Sequence, residues 1–337
     1  MRDAASAPTA ATFGAAVAAL IGRPLFPDEL VAVAVSGGAD SLALLLLAHA
    51  AFGGRVRAVT VDHGLRAGAA EEAALVGRYA ASLGVVPAVL RWDGDKPSAN
   101  LQAAARDARY ALMQGWCAAH GIAWLATAHH RDDAAETLLL RLARGSGVGG
   151  LGGIRPRRDL GGGVTVLRPL LAATRADLAA IVARAGWTAV DDPSNRAGRF
   201  DRTRARGVLA ATPWLDPARL AASAAHLVDA EATLAWAEDL AWRGRVEWAG
   251  DTLIVDAAGL PPELCRRLLR RAVTALAPSA VFRGEGVDRT LRHLAGGHGG
   301  TVAGVAVRAV ARGDASVWQF RPAPARRVRP EDAAGRR

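Results

Sequence analysis

The sequence predicts an α/β fold, a doubly wound parallel sheet followed by a smaller, mostly helical C-terminal domain. Three observations predict it. From residue 29 short apolar runs alternate with longer amphipathic stretches, each run ending in small or polar residues. Runs such as VAVAV and WLATA are apolar throughout, as strands covered on both faces must be. The first run empties into Ser-Gly-Gly-Ala-Asp-Ser and then a helical LALLLLAHA, a strand–turn–helix transition.

Residues 1–28 read as a frayed, Ala-rich lead-in ending in a helix. Strands are expected at 30–35, 56–61, 85–91 and 123–128. Helices are expected at 41–51, 69–83, 100–120 and 132–144. Ligands then belong at the carboxyl ends of the strands. Residues 144–154 (RGSGVGGLGGI) hold too many glycines for a regular element and predict a mobile loop. A helix at 174–185 and a polar loop at 191–195 complete a domain over 29–215, punctuated by Thr212-Pro213 and Asp216-Pro217. Residues 216–320 form the helical domain, with long helices at 217–249 and 260–276 and β-like character at 291–320. Arg266, Arg267, Arg270 and Arg271 stud one helix, where solvation and RNA contact are equally open. The tail 321–337 is basic, poor in apolar residues and expected to be disordered.

The 337 residues carry a net charge of +10, favourable for a polyanionic partner. Lys96 is the single lysine, so the positive charge is almost wholly arginine. Cys117 and Cys265 stand far apart, without the C-x-x-C spacing of zinc or iron–sulfur sites, which fits a reducing cytoplasm. No apolar run reaches the ~18 residues of a membrane span, and no secretory leader is evident.

At Val35-Ser36-Gly37-Gly38-Ala39-Asp40-Ser41, two glycines let backbone N–H groups converge, a helix N-terminus adds positive potential, and Ser36 and Ser41 bring hydroxyls. Such a cradle binds phosphate. It lacks the lysine of a Walker loop, so γ-transfer is not implied. Asp40 would repel phosphate unless a divalent cation lies between them, which assigns it to Mg2+. An ordinary Gly-Gly turn is the plainer alternative, and the six-residue pattern in this setting favours phosphate. Asp133 and Glu136, three apart on one helical face, can hold an ammonium group or merely complement the helix dipole. His129 and His130 fall at a strand end, and no third ligand at suitable spacing makes them a metal pair. Arg106 and Arg109 share a helix face that can reach a triphosphate or face solvent. Arg202, Arg204 and Arg206 spread over a wide arc if helical, suited to a nucleic-acid backbone.

The loop resembles that of the N-type ATP pyrophosphatases, the PP-loop superfamily with the adenine nucleotide alpha hydrolase-like fold. Further motifs narrow the resemblance. They are Thr60-Val61-Asp62-His63-Gly64-Leu65-Arg66, Asn100-Leu101-Gln102, Ala105-Arg106-Asp107-Ala108-Arg109-Tyr110 and the stretch from Ala126 through His129-His130-Arg131-Asp132-Asp133 to Glu136-Thr137. Arg144-Gly145-Ser146-Gly147, Arg168-Pro169-Leu170-Leu171 and Asp192-Pro193-Ser194-Asn195 follow in order. Over residues 30–206 the chain is similar to the tRNA(Ile)-lysidine synthetases. The resemblance implies a cytoplasmic ligase that adenylates the wobble cytidine of a CAU-anticodon tRNA(Ile) with Mg·ATP and then joins L-lysine to its C2, releasing AMP and pyrophosphate. It further implies ATP contacts at Ser36, Gly37, Gly38, Ala39, Asp40, Ser41, Val61, His63, Arg106 and His129. Lysine contacts fall at Asp133 and Glu136, tRNA contacts at Arg202, Arg204 and Arg206, and catalytic roles at Asp40, Arg109 and Asp133. Thr203 and Ala197 stand where Asn and Asp are usual. A tRNA thiolase of the same superfamily, disfavoured by the isolated Cys117, and a non-catalytic RNA-binding protein are the alternatives. Protein partners are not specified by the sequence.

Overall fold

The structure is a computed structural model that describes residues 7–64, 68–94, 96–97, 100–190, 201–282, 284–312 and 315–323. Leu65, Arg66, the polar loop at 191–195, Ala197, Phe200 and the tail past 323 lie outside the described residues, as do residues 1–6. The chain forms two compact units, one up to Asp229 and one from Ala230.

In the first unit the elements run α1 (Ala10–Ile21), β1 (Val31–Ala34), α2 (Ala39–Phe52), β2 (Val56–Asp62), α3 (Ala69–Ser82), β3 (Val86–Arg91), α4 (Leu101–Ala119), β4 (Trp124–Ala126) and α5 (Arg131–Ala143). They continue with α6 (Val148–Leu151), β5 (Arg157–Asp159), β6 (Thr165–Leu167), α7 (Arg175–Arg184) and α8 (Asp201–Ala211). The sheet order is β3-β2-β1-β4-β6-β5. All pairings are parallel except β5 with β6, an antiparallel hairpin at one edge.

Sequence explains the centre of this sheet. Val31, Ala32 and Val33 are solvent-inaccessible, because β1 is hydrogen-bonded on both sides and covered on both faces. Leu42, Leu44, Leu45 and Leu47 bury the start of α2 against it, and Phe13, Val17 and Ile21 add one stripe of α1. From β1 the chain builds outward through β2 and β3, then returns to lay β4 on the other flank of β1. The crevice where strand order reverses therefore lies past the carboxyl ends of β1 and β4. The residues leaving those two ends are Val35 to Ser41 and Thr127 to His130.

The region expected to be a mobile Gly-rich loop contains the one-turn helix α6, closed by Leu151 N–H on Gly147 O at 2.9 Å. Strands β5 and β6 were not anticipated, because three residues are too few to display a period.

Helix α9 (Pro217–Arg245) begins in the first unit and ends in the second. The punctuation at 212–217 marks its start, with Pro217 at the first helical position, where its missing N–H is harmless. The second unit continues with β7 (Val246–Ala249), β8 (Thr252–Val255), α10 (Pro262–Leu276), α11 (Gly284–Ala295), β9 (Gly299–Val302), β10 (Val305–Arg312) and β11 (Ala315–Pro322). Its strands pair antiparallel in the order β7-β8-β11-β10-β9. The expectation of a mostly helical second domain is thus corrected to a mixed one. Four-residue strands and an Ala- and Arg-rich β10 disguise the sheet, yet Leu253, Val255, Val305, Val307, Trp318 and Phe320 bury its inner face against Leu268, Leu269 and Val273 of α10. Arg321 and Pro322, expected in the tail, belong to β11 and pair with Ala306 and Val305. Among the described residues no helix is long and apolar enough to cross a membrane.

Candidate active site

The loop after β1 is fixed by its own backbone. Val35 N–H donates to Val59 O at 2.9 Å, and Thr60 Oγ1 donates to Val35 O. Gly37 adopts φ +84°, and a Cβ there would stand 3.0 Å from Val190 Cγ2, so both conformation and space demand glycine. Ser41 Oγ donates to Gly38 O at 2.9 Å and accepts from Ser36 N at 3.1 Å, closing the turn at the head of α2. No side chain caps α2, so its first-turn N–H groups face the mouth of the loop. Asp40 stands in that first turn, its Oδ1 buried without a hydrogen-bond partner among the described residues.

Across the crevice, His129 Nδ1 lies 3.0 Å from Thr127 Oγ1 and accepts from Arg168 Nε at 3.3 Å. A ring that accepts at Nδ1 carries its proton on Nε2, which assigns His129 as a neutral donor. Burial, and then the charges of Arg168, Arg106, Arg202 and Arg109, push its pKa well below the ordinary value. The arginines crowd one another. Tyr110 is buried with Arg106, Arg158 and Arg109 at 5.2, 5.2 and 5.9 Å from its ring centroid. Burial lowers the pKa of both Arg109 and Arg168. Among the described residues no carboxylate is paired with Arg106, Arg109 or Arg168, and like charges held together in this way call for an anion.

His130 caps α5 and faces the other way. It is 0% exposed, with Nε2 3.5 Å from Asp40 Oδ2 and 3.6 Å from Asp133 Oδ2, and Nδ1 3.6 Å from Asp132 Oδ2. Burial pulls its pKa down, but Asp40 and Asp133 outweigh it and the net direction is up. The ring thus lies between the loop and α5, with acids of both within 3.6 Å. Burial, opposed by His130 and Arg202, raises the Asp133 carboxyl above its usual range. One turn later Glu136, its side chain 2% exposed, accepts at Oε1 from Arg206 Nε at 3.0 Å and Arg175 Nη2 at 3.3 Å. Its Oε2 is buried and has no partner among the described residues.

The expected residues are distributed as follows. Ser36 to Ser41, His129 and Asp133 meet at the switch point through His130, and Arg106, Arg109 and Arg202 surround His129. Val61 lies near the end of β2, and His63 just past it meets the Trp92 ring edge-on at 6.5 Å between centroids. On α8, Arg202 and Arg206 are one turn apart, whereas Arg204 is exposed on the opposite face. Alternate arginines on a helix therefore split, two toward the site and one away. Among the described residues no group of three or more His, Cys, Asp or Glu side chains could hold a metal by itself. A cation at Asp40 would need phosphate oxygens to complete its shell, a fit that the orphaned Oδ1 supports.

The PP-loop domain family matches residues 10–212. The tRNA(Ile)-lysidine synthase of Zymomonas mobilis subsp. mobilis is 40% identical over 94% of this chain and 94% of its own length. That of Novosphingobium aromaticivorans is 42% identical over 90% and 92%. The chain belongs to the tRNA(Ile)-lysidine synthase family. Among solved structures, a U34-tRNA thiolase from Methanococcus maripaludis with its 4Fe–4S cluster superposes with a TM-score of 0.54 at 15% identity, covering 64% of this chain and 78% of that one. That likeness is one of fold.

In this lysidine synthase family member neither cysteine suits sulfur chemistry. Cys117 is fully buried and its thiol is pushed up to about 12 by burial, and burial also raises Cys265. Three residues of the cluster carried no expected role: Arg168, His130 and Arg175. Arg168 follows the apolar run VTVL, the same strand-end position that singled out His129, so a signal existed. Nothing local could have shown that Arg175 and Arg206, 39 and 70 residues downstream, converge on Glu136.

Proposed function

We propose that this chain ligates L-lysine to C2 of the wobble cytidine of a CAU-anticodon tRNA(Ile) in the cytoplasm, converting ATP to AMP and pyrophosphate. One observation carries the assignment of roles: the phosphate loop is joined through His130 to Asp133, with contacts of 3.5 and 3.6 Å, so an ATP cradle and an ammonium-binding acid share one crevice.

In the first step cytidine O2 attacks the α-phosphorus. The bond to the β-phosphate oxygen breaks, and pyrophosphate leaves into the loop at Ser36 to Ser41. Arg109, Arg106 and the Nε2–H of His129 face the phosphates and take up charge that builds there. A Mg2+ ion held at Asp40 would withdraw further charge from the phosphate oxygens. The base then carries AMP on O2, a far better leaving group than oxide. In the second step the ε-amine attacks C2 and AMP departs with O2. Asp133 is the base, since a carboxylate held above its ordinary pKa accepts the amine's proton more readily. Arg204, on the outer face of α8, is assigned to the tRNA backbone.

The test is purified protein with Mg·ATP, isotopically labelled lysine and CAU-anticodon tRNA(Ile). The expected result is tRNA-dependent incorporation of label with stoichiometric AMP, abolished by Asp40→Ala and by Asp133→Ala. No incorporation by the wild-type protein sinks the proposal.

A further inference from the structure

We propose that Tyr79 is a positioning residue for the phosphate loop: its hydroxyl clasps the backbone at Thr188 and, through the N–H of Val190, keeps the Gly37 carbonyl turned out of the cradle. This rests on the reading of Val35 to Ser41 as the seat of the ATP phosphates and assigns the group that holds its shape.

A phosphate cradle fails when a carbonyl oxygen turns into it. The peptide between Gly37 and Gly38 is where that can happen, since neither residue has a Cβ to resist the turn. In a planar trans peptide the carbonyl and the N–H point in opposite directions, so turning it over replaces a donor by a lone pair. The Gly38 carbonyl is held from within the loop, by Ser41 Oγ at 2.9 Å. The Gly37 carbonyl is held from outside it. Val190 N–H donates to Gly37 O at 2.9 Å, so the orientation of this peptide depends on where Val190 stands.

Residues 187–190 lie beyond α7 and belong to no helix or strand. A stretch of that kind keeps its place only where side chains tie it down. Tyr79 of α3 ties it at two points. Its Oη accepts from Thr188 N–H at 2.9 Å and donates to Thr188 O at 3.2 Å, so one hydroxyl serves both backbone groups of a single residue. Its ring stacks on Trp187, with centroids 4.3 Å apart and planes 10° from parallel. Fixing both peptide groups of Thr188 leaves little freedom to Val190, two residues on. One turn earlier on α3, Val76 is buried, and its Cγ2 would stand 3.6 Å from a Cβ at Gly37. The same helix thus packs beneath the turn and holds the strap that pins it. Phenylalanine would stack on Trp187 as well as tyrosine does, so the hydroxyl is the part that bears on the loop.

The experiment is calorimetric titration of the full chain with Mg·ATP, Mg·pyrophosphate and AMP. Tyr79→Phe keeps the ring and its stack and removes only the clasp. It should bind ATP and pyrophosphate about 3- to 10-fold more weakly, the size of a net hydrogen-bond contribution, and bind AMP as wild type does, because AMP lacks the phosphates held by the loop. Trp187→Leu, which removes the stack and leaves the hydroxyl in place, should keep pyrophosphate affinity near the wild-type value. Unchanged affinity of Tyr79→Phe for ATP and pyrophosphate overturns the positioning role while the cradle stands. An equal loss for AMP overturns it too, since that marks a general disturbance of the domain, and so does a Trp187→Leu loss as large as that of Tyr79→Phe. A wild-type protein that binds neither ATP nor pyrophosphate overturns the cradle itself, and the role of Tyr79 with it.

Discussion

Arginine plays opposite parts in the two units. Around His129 four arginines gather, and among the described residues no carboxylate is paired with Arg106, Arg109 or Arg168. On α10, by contrast, Arg266 pairs with Glu263 and Asp288, Arg267 with Glu231, Glu238 and Glu263, and Arg271 with Glu238 and Asp239. By composition both groups would be called basic patches suited to RNA. The first keeps its charge available to a ligand, while in the second Arg266, Arg267 and Arg271 are consumed in fastening α10 to α9 and α11 and Arg270 lies over the Phe282 ring, 5.1 Å from its centroid. What marks an anion site is cation left uncompensated, at some cost to the fold, and a count of arginines does not reveal that.

The contrast can be broken most sharply at Arg109. Arg109→Met should lower turnover about 100- to 1000-fold, the usual effect of removing one charge-stabilising donor, while the melting temperature holds or rises because a crowded charge is gone. Pyrophosphate release and a thermal melt give both readings, and a fall in melting temperature with turnover preserved would erase the distinction. Arg267→Met should do the reverse. It strips the shared cation from three carboxylates, and stability should drop by about 2–4 kcal/mol in urea denaturation. Affinity for tRNA should hold, and a marked loss of affinity would return α10 to the RNA surface. At Gly37, Gly37→Ala forces a side chain into φ +84° against Val190, which should destabilise by about 1–2 kcal/mol and raise KM for ATP. Retention of both values would mean that the loop does not need its backbone turn.

The smallest effect concerns the adjacent histidines. His129, held well below the ordinary 6.5, should be neutral at pH 6.5, whereas His130, raised above 6.5, should remain charged there. Nitrogen-15 NMR of the imidazoles would show it. Linkage gives each a sign. The stability contributed by His130 is complete below 6.5 and is lost as pH rises through its folded value. That of His129 is complete above 6.5 and is lost as pH falls toward its folded value. The two act on opposite sides of 6.5, so His130→Gln should remove the gain in stability on acidification toward 6.5 and leave the loss below it unchanged.

Much of this was legible in the residues. Continuous apolar runs located β1 to β4, because strands buried on both faces leave no room for polar residues, and Ser-Gly-Gly-Ala-Asp-Ser located the cradle. Spacing could not separate His129 from His130. Neighbours at a strand end point in opposite directions, one into a ring of arginines and one into a ring of acids, and which is which depends on partners far along the chain. Glu136 was legible as an acid near Asp133 but not as an acid bearing two arginines. The α10 arginines misled for the same reason, since Glu231 and Glu238 lie on another helix.

Lys96 offers a practical consequence. Its Nζ donates to Gly64 O at 3.0 Å and lies 6.0 Å from the centroid of Trp92, beside the His63 segment. Because it is the single lysine of the chain, amine-directed acylation can mark one side chain and, apart from the α-amino terminus, nothing else. A footprint of that acylation, taken with and without nucleotide, would report on the segment past the end of β2 at one position, with no mutagenesis and no background from other lysines.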